Sequence, residues 1–476
     1  MLFRSMLFSV SKRNSARNLG AMRVVSLLLG LSVLMSLCLS SCKKTSNDFP
    51  TIPTSETTEA PESETSETST EAASVELTIA SPLSYETCQY LARLYYAKNN
   101  GLLGDGVTGS TVDLDYLSSI DLPFVLNVYT TSDNGCNVST LSQWKGSDMP
   151  DIFLTDSFDE VVSNGYAMPV DEYLAEVPLF STDRIYPDLI SEFHVNNSQY
   201  GIPYQTSAAV LFCDMEVLRQ ADIPSVSFRQ SKSSLLAILS EISKLNEEER
   251  TVLPFYLASN MVPYLPCSIY SREYLSASDP DERIDPNFRD SVSFVESIIS
   301  SGYSYESLSD EDSELLFSGV SPLLSRKVGI WVGTTDEIPL YDNYMPNTLS
   351  IMQLPGIKDD EYSSPLLITY PYCISSTCKN PKEACELASF FALDEDALLL
   401  VSRLSERSGY LPVVKTPSVW QSTVKNQKYG NYLMQYQELM DQAILIPEVS
   451  ESETFRKDLD HISETISESM SLDDDE

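Results

Sequence analysis

The chain has two histidines, His194 and His461, far apart in its 476 residues. His461 falls in an acidic terminal segment, where a surface or capping role outweighs catalysis. No G-x-S-x-G elbow, H-E-x-x-H zinc helix or phosphate-binding P-loop occurs, so the usual residues of serine hydrolysis, zinc proteolysis and nucleotide hydrolysis are missing. Ser376-Thr377-Cys378-Lys379 and Ser142-Gln143-Trp144-Lys145 fit S-x-x-K. A serine-rich chain meets that spacing by chance, and the partner motifs of that enzyme class are absent. Carboxylates are so abundant that no pair is informative, which leaves a glycosidase dyad open but unsupported. Asp279, Asp281 and Asp285 offer oxygen ligands for calcium without the glycine of an EF-hand loop; a solvated acidic loop is the simpler reading. These residues point to a protein that is not an enzyme and needs no metal or cofactor.

Cysteine chemistry is equally sparse. Seven cysteines follow Cys42, at 88, 136, 213, 267, 373, 378 and 385, and none has CxxC spacing. Cys378 and Cys385, two helical turns apart, are separated by about 10 Å, beyond disulfide reach. Cys373 and Cys378 flank a strand-to-helix turn, and the sequence allows them to pair. The others read as small buried hydrophobes. With 42% hydrophobic and 10% aromatic residues the chain can build a real core, and its length suits two lobes. Net charge is −38, which makes nucleic acid and anionic membrane poor partners.

The elements that must carry any site can be read along the chain. Arg23 opens an apolar run, Val24 to Leu39, that ends Leu39-Ser40-Ser41-Cys42. It is short of the roughly 20 residues needed to span a bilayer, and its charged start and small-residue end describe a secretory signal over 1–41. The ending resembles the lipobox of bacterial lipoproteins, which implies lipidation of Cys42. Residues 43–74 are Ser, Thr, Glu and Pro with almost no large apolar side chain; such a segment cannot bury enough surface to fold and reads as a disordered tether. Strands are expected at Val75–Ile79, Phe124–Tyr129, Ile152–Leu154, Ala208–Asp214, Val328–Val332 and Leu366–Ile374. Helices are expected at Tyr85–Tyr96, Asp159–Asn164, Glu216–Gln220, Leu235–Leu245 and Pro381–Leu393. Residues 101–120 form a polar insertion. Phe455, Leu459, Ile462, Ile466 and Met470 make one helical stripe before the acidic tail at 471–476. Strands alternating with helices argue for an α/β protein with a largely parallel sheet and helices outside.

Several segments, in order, resemble one family. Met149-Pro150-Asp151-Ile152-Phe153 followed by Met168-Pro169-Val170-Asp171-Glu172-Tyr173 is similar to the "PDIF … G.l.PLDEY" signature of family 1 extracellular solute-binding proteins of ABC importers. Tyr200-Gly201-Ile202-Pro203-Tyr204 leading into Leu211-Phe212-Cys213-Asp214 resembles "YGIPY … LYYNKDLF". Phe317–Pro339, Asn380–Phe391 and Ser408-Gly409-Tyr410-Leu411-Pro412-Val413 resemble further segments of the same family.

The resemblance implies a two-lobe, type II periplasmic-binding-protein-like fold with the ligand cleft between lobes. It places one lobe at 75–203 and 353–397 and the other at 204–352 and 398–470, with the chain crossing near 202–206, 350–355 and 396–401. It implies a monomer, lipid-anchored on the outer face of the cytoplasmic membrane, that captures a small polar solute and delivers it to permease subunits. A sugar or oligosaccharide is the first expectation. The alternatives are a lipid-anchored sensor that presents ligand to a receptor and, behind it, a carbohydrate hydrolase. Asp156, Tyr204, Thr335, Asp336, Tyr370 and Tyr372 fall where the family places ligand-facing residues, beyond the carboxyl ends of strands. Thr335 stands where many sugar-binding members carry an aromatic residue. Asp156 and Asp336 also precede possible helix starts, and each can equally be a cap.

Overall fold

The computed structural model describes residues 75–144, 148–247, 249–256, 293–294, 297–356 and 364–445. The lipobox and tether, Cys267, the acidic loop at 279–285, His461 and the terminal stripe lie outside the described residues. The strands are β1 (Glu76–Ser81), β2 (Val125–Thr130), β3 (Ile152–Leu154), β4 (His194–Val195), β5 (Ser198–Gln199), β6 (Gly201–Asp214), β7 (Leu253–Tyr256), β8 (Val328–Thr334), β9 (Leu349–Gln353), β10 (Leu366–Ile374) and β11 (Ile444–Leu445). The hairpin β4–β5 stands apart. The others form a mixed sheet in the order β2-β1-β3-β10-β6-β8-β7, with β11 on β10 and β9 on β6. The main helices are α1 (Tyr85–Asn99), α2 (Phe158–Ser163), α3 (Met215–Gln220), α4 (Lys232–Ser243), α5 (Ile338–Tyr344), α6 (Pro381–Leu393), α7 (Glu395–Arg403) and α8 (Pro417–Asn426).

The strand β6 joins two lobes. Its first half, Gly201 to Ala208, pairs antiparallel with β10, which leads through β3 to the parallel pair β1–β2. Its second half, from Ala209, lies between β8 and β9, with β7 parallel to β8 beyond. Every residue of β6 is buried. Successive side chains point to opposite faces of a strand. Accordingly Ala209, Leu211 and Cys213 pack with α3, α4 and β7, while Ala208, Val210 and Phe212 enter the main core with Trp331 and Tyr341. The sequence predicts this strand only from Ala208, because Pro203 argues against a central strand. The proline is accommodated opposite another, Pro371, where neither ring has an N–H to offer. The register then passes from Pro203–Pro371 to Gln205–Tyr370, so Tyr204 is an extra residue in a bulge. A bulge bends a strand and re-aims its side chain.

The helices follow their sequence signals. Ser84 caps α1 by accepting from the Thr87 N–H at 3.2 Å, and the Cys88, Leu91 and Leu94 face is buried. Pro381 begins α6, whose Leu387, Phe390 and Phe391 are buried. The 101–120 insertion is tied down: Asp396 at the start of α7 accepts from the Gly109 N–H at 3.0 Å, and Val112 and Leu117 enter the core. Cys373 and Cys378 are free thiols and do not pair, contrary to what the sequence allowed. Cys373 points into a buried cluster with Phe153 and Phe193 and behaves as a hydrophobe.

Candidate functional site

The bulge at Tyr204 begins the site. Tyr204 stacks on Tyr372, ring centroids 4.7 Å apart and planes 25° apart. Tyr372 is fully buried and its hydroxyl lies 2.7 Å from Ser81 Oγ, so it is held as a backing plate. The Tyr204 hydroxyl is buried and makes no hydrogen bond of ordinary geometry in the protein, with the Tyr372 side chain a weak polar neighbour. Burial raises the Tyr204 pKa well above the usual phenol value, with the nearby Arg407 charge opposing the rise. The hydroxyl is therefore a neutral donor.

Arg407 supplies the charge. It lies in the turn after α7, where Ser405, Arg407 and Gly409 all have positive φ, at 58°, 64° and 91°. Its guanidinium carbon sits 3.8 Å from the Tyr410 ring centroid and 5.8 Å from that of Tyr204, a cation–π arrangement. The Arg407 side chain is only 9% exposed, and its one ion pair among the described residues is a long one, 3.6 Å, to Asp133, which is 77% exposed. Its Nη2 has no partner. Gly409 is required here twice over: φ is left-handed, and an added Cβ would lie 2.2 Å from the Thr335 carbonyl oxygen. That contact brings Asp336 against the turn, and the carboxylate adds to the upward push on the Tyr410 pKa.

Three buried polar atoms without partners belong to residues that line one region, Tyr204 Oη, Gln205 Oε1 and Arg407 Nη2, and a fourth, Asp336 Oδ1, belongs to the residue packed against the Gly409 turn. Gln205 is fixed at its other end, where Nε2 donates to the Asp133 carbonyl at 3.1 Å. Tyr204, Gln205, Arg407, Tyr410 and Gln427 line a pocket of about 60 Å³. A water's share of the liquid is about 30 Å³, so the pocket has room for a few small polar groups. Larger hollows open elsewhere, one of about 360 Å³ beside Tyr95, Tyr96 and Phe124 and one of about 650 Å³ beside Arg229 and Lys425. None of the orphaned atoms belongs to the residues lining those two. An unpartnered buried polar group is expensive, which singles this region out as the candidate site. Two of the four, Arg407 Nη2 and Tyr204 Oη, donate; Gln205 Oε1 and Asp336 Oδ1 accept.

The other sequence-predicted residues take different places. Thr335 is fully buried and its hydroxyl accepts from the Ala208 N–H at 3.1 Å, so it ties the end of β8 to β6. Tyr370 is half-buried opposite Gln205. Asp156, half-buried beyond β3, accepts from Ser157 Oγ at 2.8 Å and faces Cys136, whose thiol is pushed up to about 12 by burial and then by this carboxylate. The cap after β8 is made by Thr334 and Glu337 as a reciprocal pair, which leaves Asp336 out of it. Burial lifts the Glu337 carboxyl to about 7, against the stabilising Thr334 N–H. Arg407, Gln205 and Tyr410 were missed. The readable signal was an arginine three residues before a tyrosine in a glycine turn. Among the described residues no group of His, Cys, Asp and Glu could hold a metal, and no helix is long and apolar enough to cross a membrane.

Two α/β lobes sharing a continuous strand, with a polar pocket against that strand, define a binding protein of the type II periplasmic class. Residues 138–397 match the bacterial extracellular solute-binding protein family, and the chain belongs to it. Its members bind solutes outside the cytoplasm without transforming them, and this chain is accordingly a solute-binding protein and not an enzyme. An ABC substrate-binding protein from Listeria monocytogenes, solved with cycloalternan, is similar at TM-score 0.57 and 13% identity, over 83% of this chain and 99% of that one. A cyclic α-maltosyl-1,6-maltose binding protein from Arthrobacter globiformis gives 0.56 and 13%, over 83% and 98%. The sugar-binding protein MalE of Xanthomonas citri gives 0.53 and 12%, over 84% and 100%. At such identities these likenesses speak for the fold. No curated protein matches the chain.

Proposed function

We propose that the protein captures a neutral sugar or oligosaccharide between its lobes and delivers it to an ABC permease, while anchored to the outer face of the cytoplasmic membrane through a lipid on Cys42. The observation that carries the ligand class is the mixed set of orphaned atoms. A hydroxyl both donates and accepts, so adjacent sugar hydroxyls match two donors beside two acceptors. The Tyr204 and Tyr410 rings add apolar faces with polar ends. Asp133 and Asp336 beside Arg407 disfavour an anion. The solved sugar-binding relatives point the same way.

Tyr204 and Asp336, foreseen from the sequence, are assigned to ligand contact together with Arg407 and Gln205; Asp156 and Tyr370 flank them, and Tyr372 and Thr335 hold them in place. The exchange of partners along β6, between Ala208 and Ala209, supports a crossing just after 202–206, and 350–355 and 396–401 are assigned as its companions. Closure on the sugar is then hinge motion driven by higher affinity for the shut state.

A thermal-shift screen of a form lacking residues 1–42 against maltose, mannobiose and cyclic tetrasaccharides tests the reading. A sugar at 100 times its dissociation constant should stabilise the protein by about 2.7 kcal/mol. A panel in which only charged solutes stabilise would refute it.

A further inference from the structure

Arg407 sits in a turn with three left-handed residues, two of them not glycine. Such backbone is strained and persists only when its surroundings hold it. The neighbour of Arg407 supplies the hold. Glu406 also lines the pocket, and its carboxylate reaches the first turn of α1. Its Oε1 accepts from Ser84 Oγ at 2.7 Å and from Thr87 Oγ1 at 2.7 Å, and its Oε2 accepts from the Ser84 N–H at 3.1 Å. The amino end of this 15-residue helix also attracts a negative charge. On its far side the turn is fixed by Gly409 against Thr335, by the Gly409 N–H to Gln427 Oε1 at 2.9 Å, and by the Leu411 N–H to the Thr206 carbonyl at 2.7 Å. One turn therefore touches α1 of the first lobe and the end of β8 in the second.

We propose that Glu406 is a positioning residue: its carboxylate, locked on Ser84 and Thr87, holds the strained 404–411 turn so that Arg407 faces the pocket between Tyr204 and Tyr410. The assignment rests on the reading of Arg407 as a ligand group, and it gives that group its geometry. Because the lock is on the first lobe and the Gly409 contact on the second, the turn also carries Arg407 with the first lobe when the lobes part.

The test needs no sugar. The full-length protein, its Glu406→Ala variant and its Glu406→Gln variant are treated with phenylglyoxal, and the modification rates of Arg407 and of Arg326 are read by peptide mass spectrometry. Amide hydrogen exchange is read at Gly409 and Leu411 in the same proteins. Gln keeps an acceptor for the Ser84 N–H, and its amide N–H groups can donate to the two hydroxyls, so Glu406→Gln should stay within about threefold of wild type. Loss of two or three charge-assisted bonds in Glu406→Ala should speed Arg407 modification and the two exchange rates by about tenfold or more, with Arg326 unchanged. An unchanged Arg407 rate in Glu406→Ala overturns the proposal. So does equal acceleration of Arg407 and Arg326, which would mean general loosening. The sugar reading fails separately, when Arg407→Ala leaves sugar binding intact.

Discussion

Tyr204→Phe separates a hydroxyl kept for a ligand from one kept for the fold. The ring stays stacked 4.7 Å from Tyr372, so packing is preserved. The deleted hydroxyl is buried without a hydrogen bond of ordinary geometry in the protein. A hydroxyl with a good internal partner would take about 0.5–1.5 kcal/mol of stability with it, and its orphaned partner would add about 1–3 kcal/mol. Here there is no such partner to lose, and the ligand-free variant should be unchanged or more stable by up to about 1 kcal/mol. With an unfolding entropy of about 2.1 cal/mol/K per residue over roughly 350 folded residues, 1 kcal/mol corresponds to about 1.4 °C, so Tm should lie between about 0 and +2 °C from wild type. Sugar binding should move the other way. Losing one neutral hydrogen bond of about 0.5–1.5 kcal/mol weakens binding by roughly 2- to 13-fold. Differential scanning calorimetry and titration calorimetry read the two effects. A Tm drop of more than about 2 °C with unchanged affinity would refute the reasoning, because the hydroxyl would then be serving the fold.

Arg407→Ala should weaken the best sugar of the panel by about tenfold or more, from loss of a charge-assisted bond of about 1.5–3 kcal/mol, measured by titration calorimetry. Gly409→Ala meets the Thr335 carbonyl and a left-handed φ; it should cost at least about 2 kcal/mol in urea unfolding and weaken sugar binding with it. Glu337 has a folded pKa raised to about 7, so it holds a proton that the unfolded chain releases at lower pH. Its contribution is present at and below the ordinary carboxyl range and is lost as pH rises through about 7; Glu337→Gln should flatten the fall in stability between pH 5 and 8. Cys42→Ala should leave the chain unprocessed or release it from the membrane, and mass spectrometry of the wild-type amino terminus should find Cys42 as its first residue.

Much of the architecture was legible because it rests on local patterns. The apolar Ile152–Leu154 run, the Cys88–Leu91–Leu94 face of α1 and the proline start of α6 each carry their own signal. The first half of β6 was hidden by Pro203, since its bulge depends on a proline in a strand 168 residues away in sequence rather than on anything local. The site was half legible for the same reason. Tyr204 and Asp336 stand in recognisable segments, whereas Arg407 acquires meaning only when its turn is folded back on both lobes. Thr335 and Tyr372 were expected to face the ligand, but their hydroxyls bond within the protein, to the Ala208 N–H and Ser81; burial decides whether such a hydroxyl faces a ligand or a neighbour, and periodicity does not report that.

The central claim is that the solute lies against the shared strand. A crystal structure of the protein lacking residues 1–42, grown with the sugar that stabilises it most, tests that directly. Sugar hydroxyls within about 3.2 Å of Arg407 Nη2, Tyr204 Oη and Asp336 Oδ1 are the expected result. A sugar seated instead in the hollow beside Tyr95, Tyr96 and Phe124, with the four polar atoms still unpartnered, would contradict it.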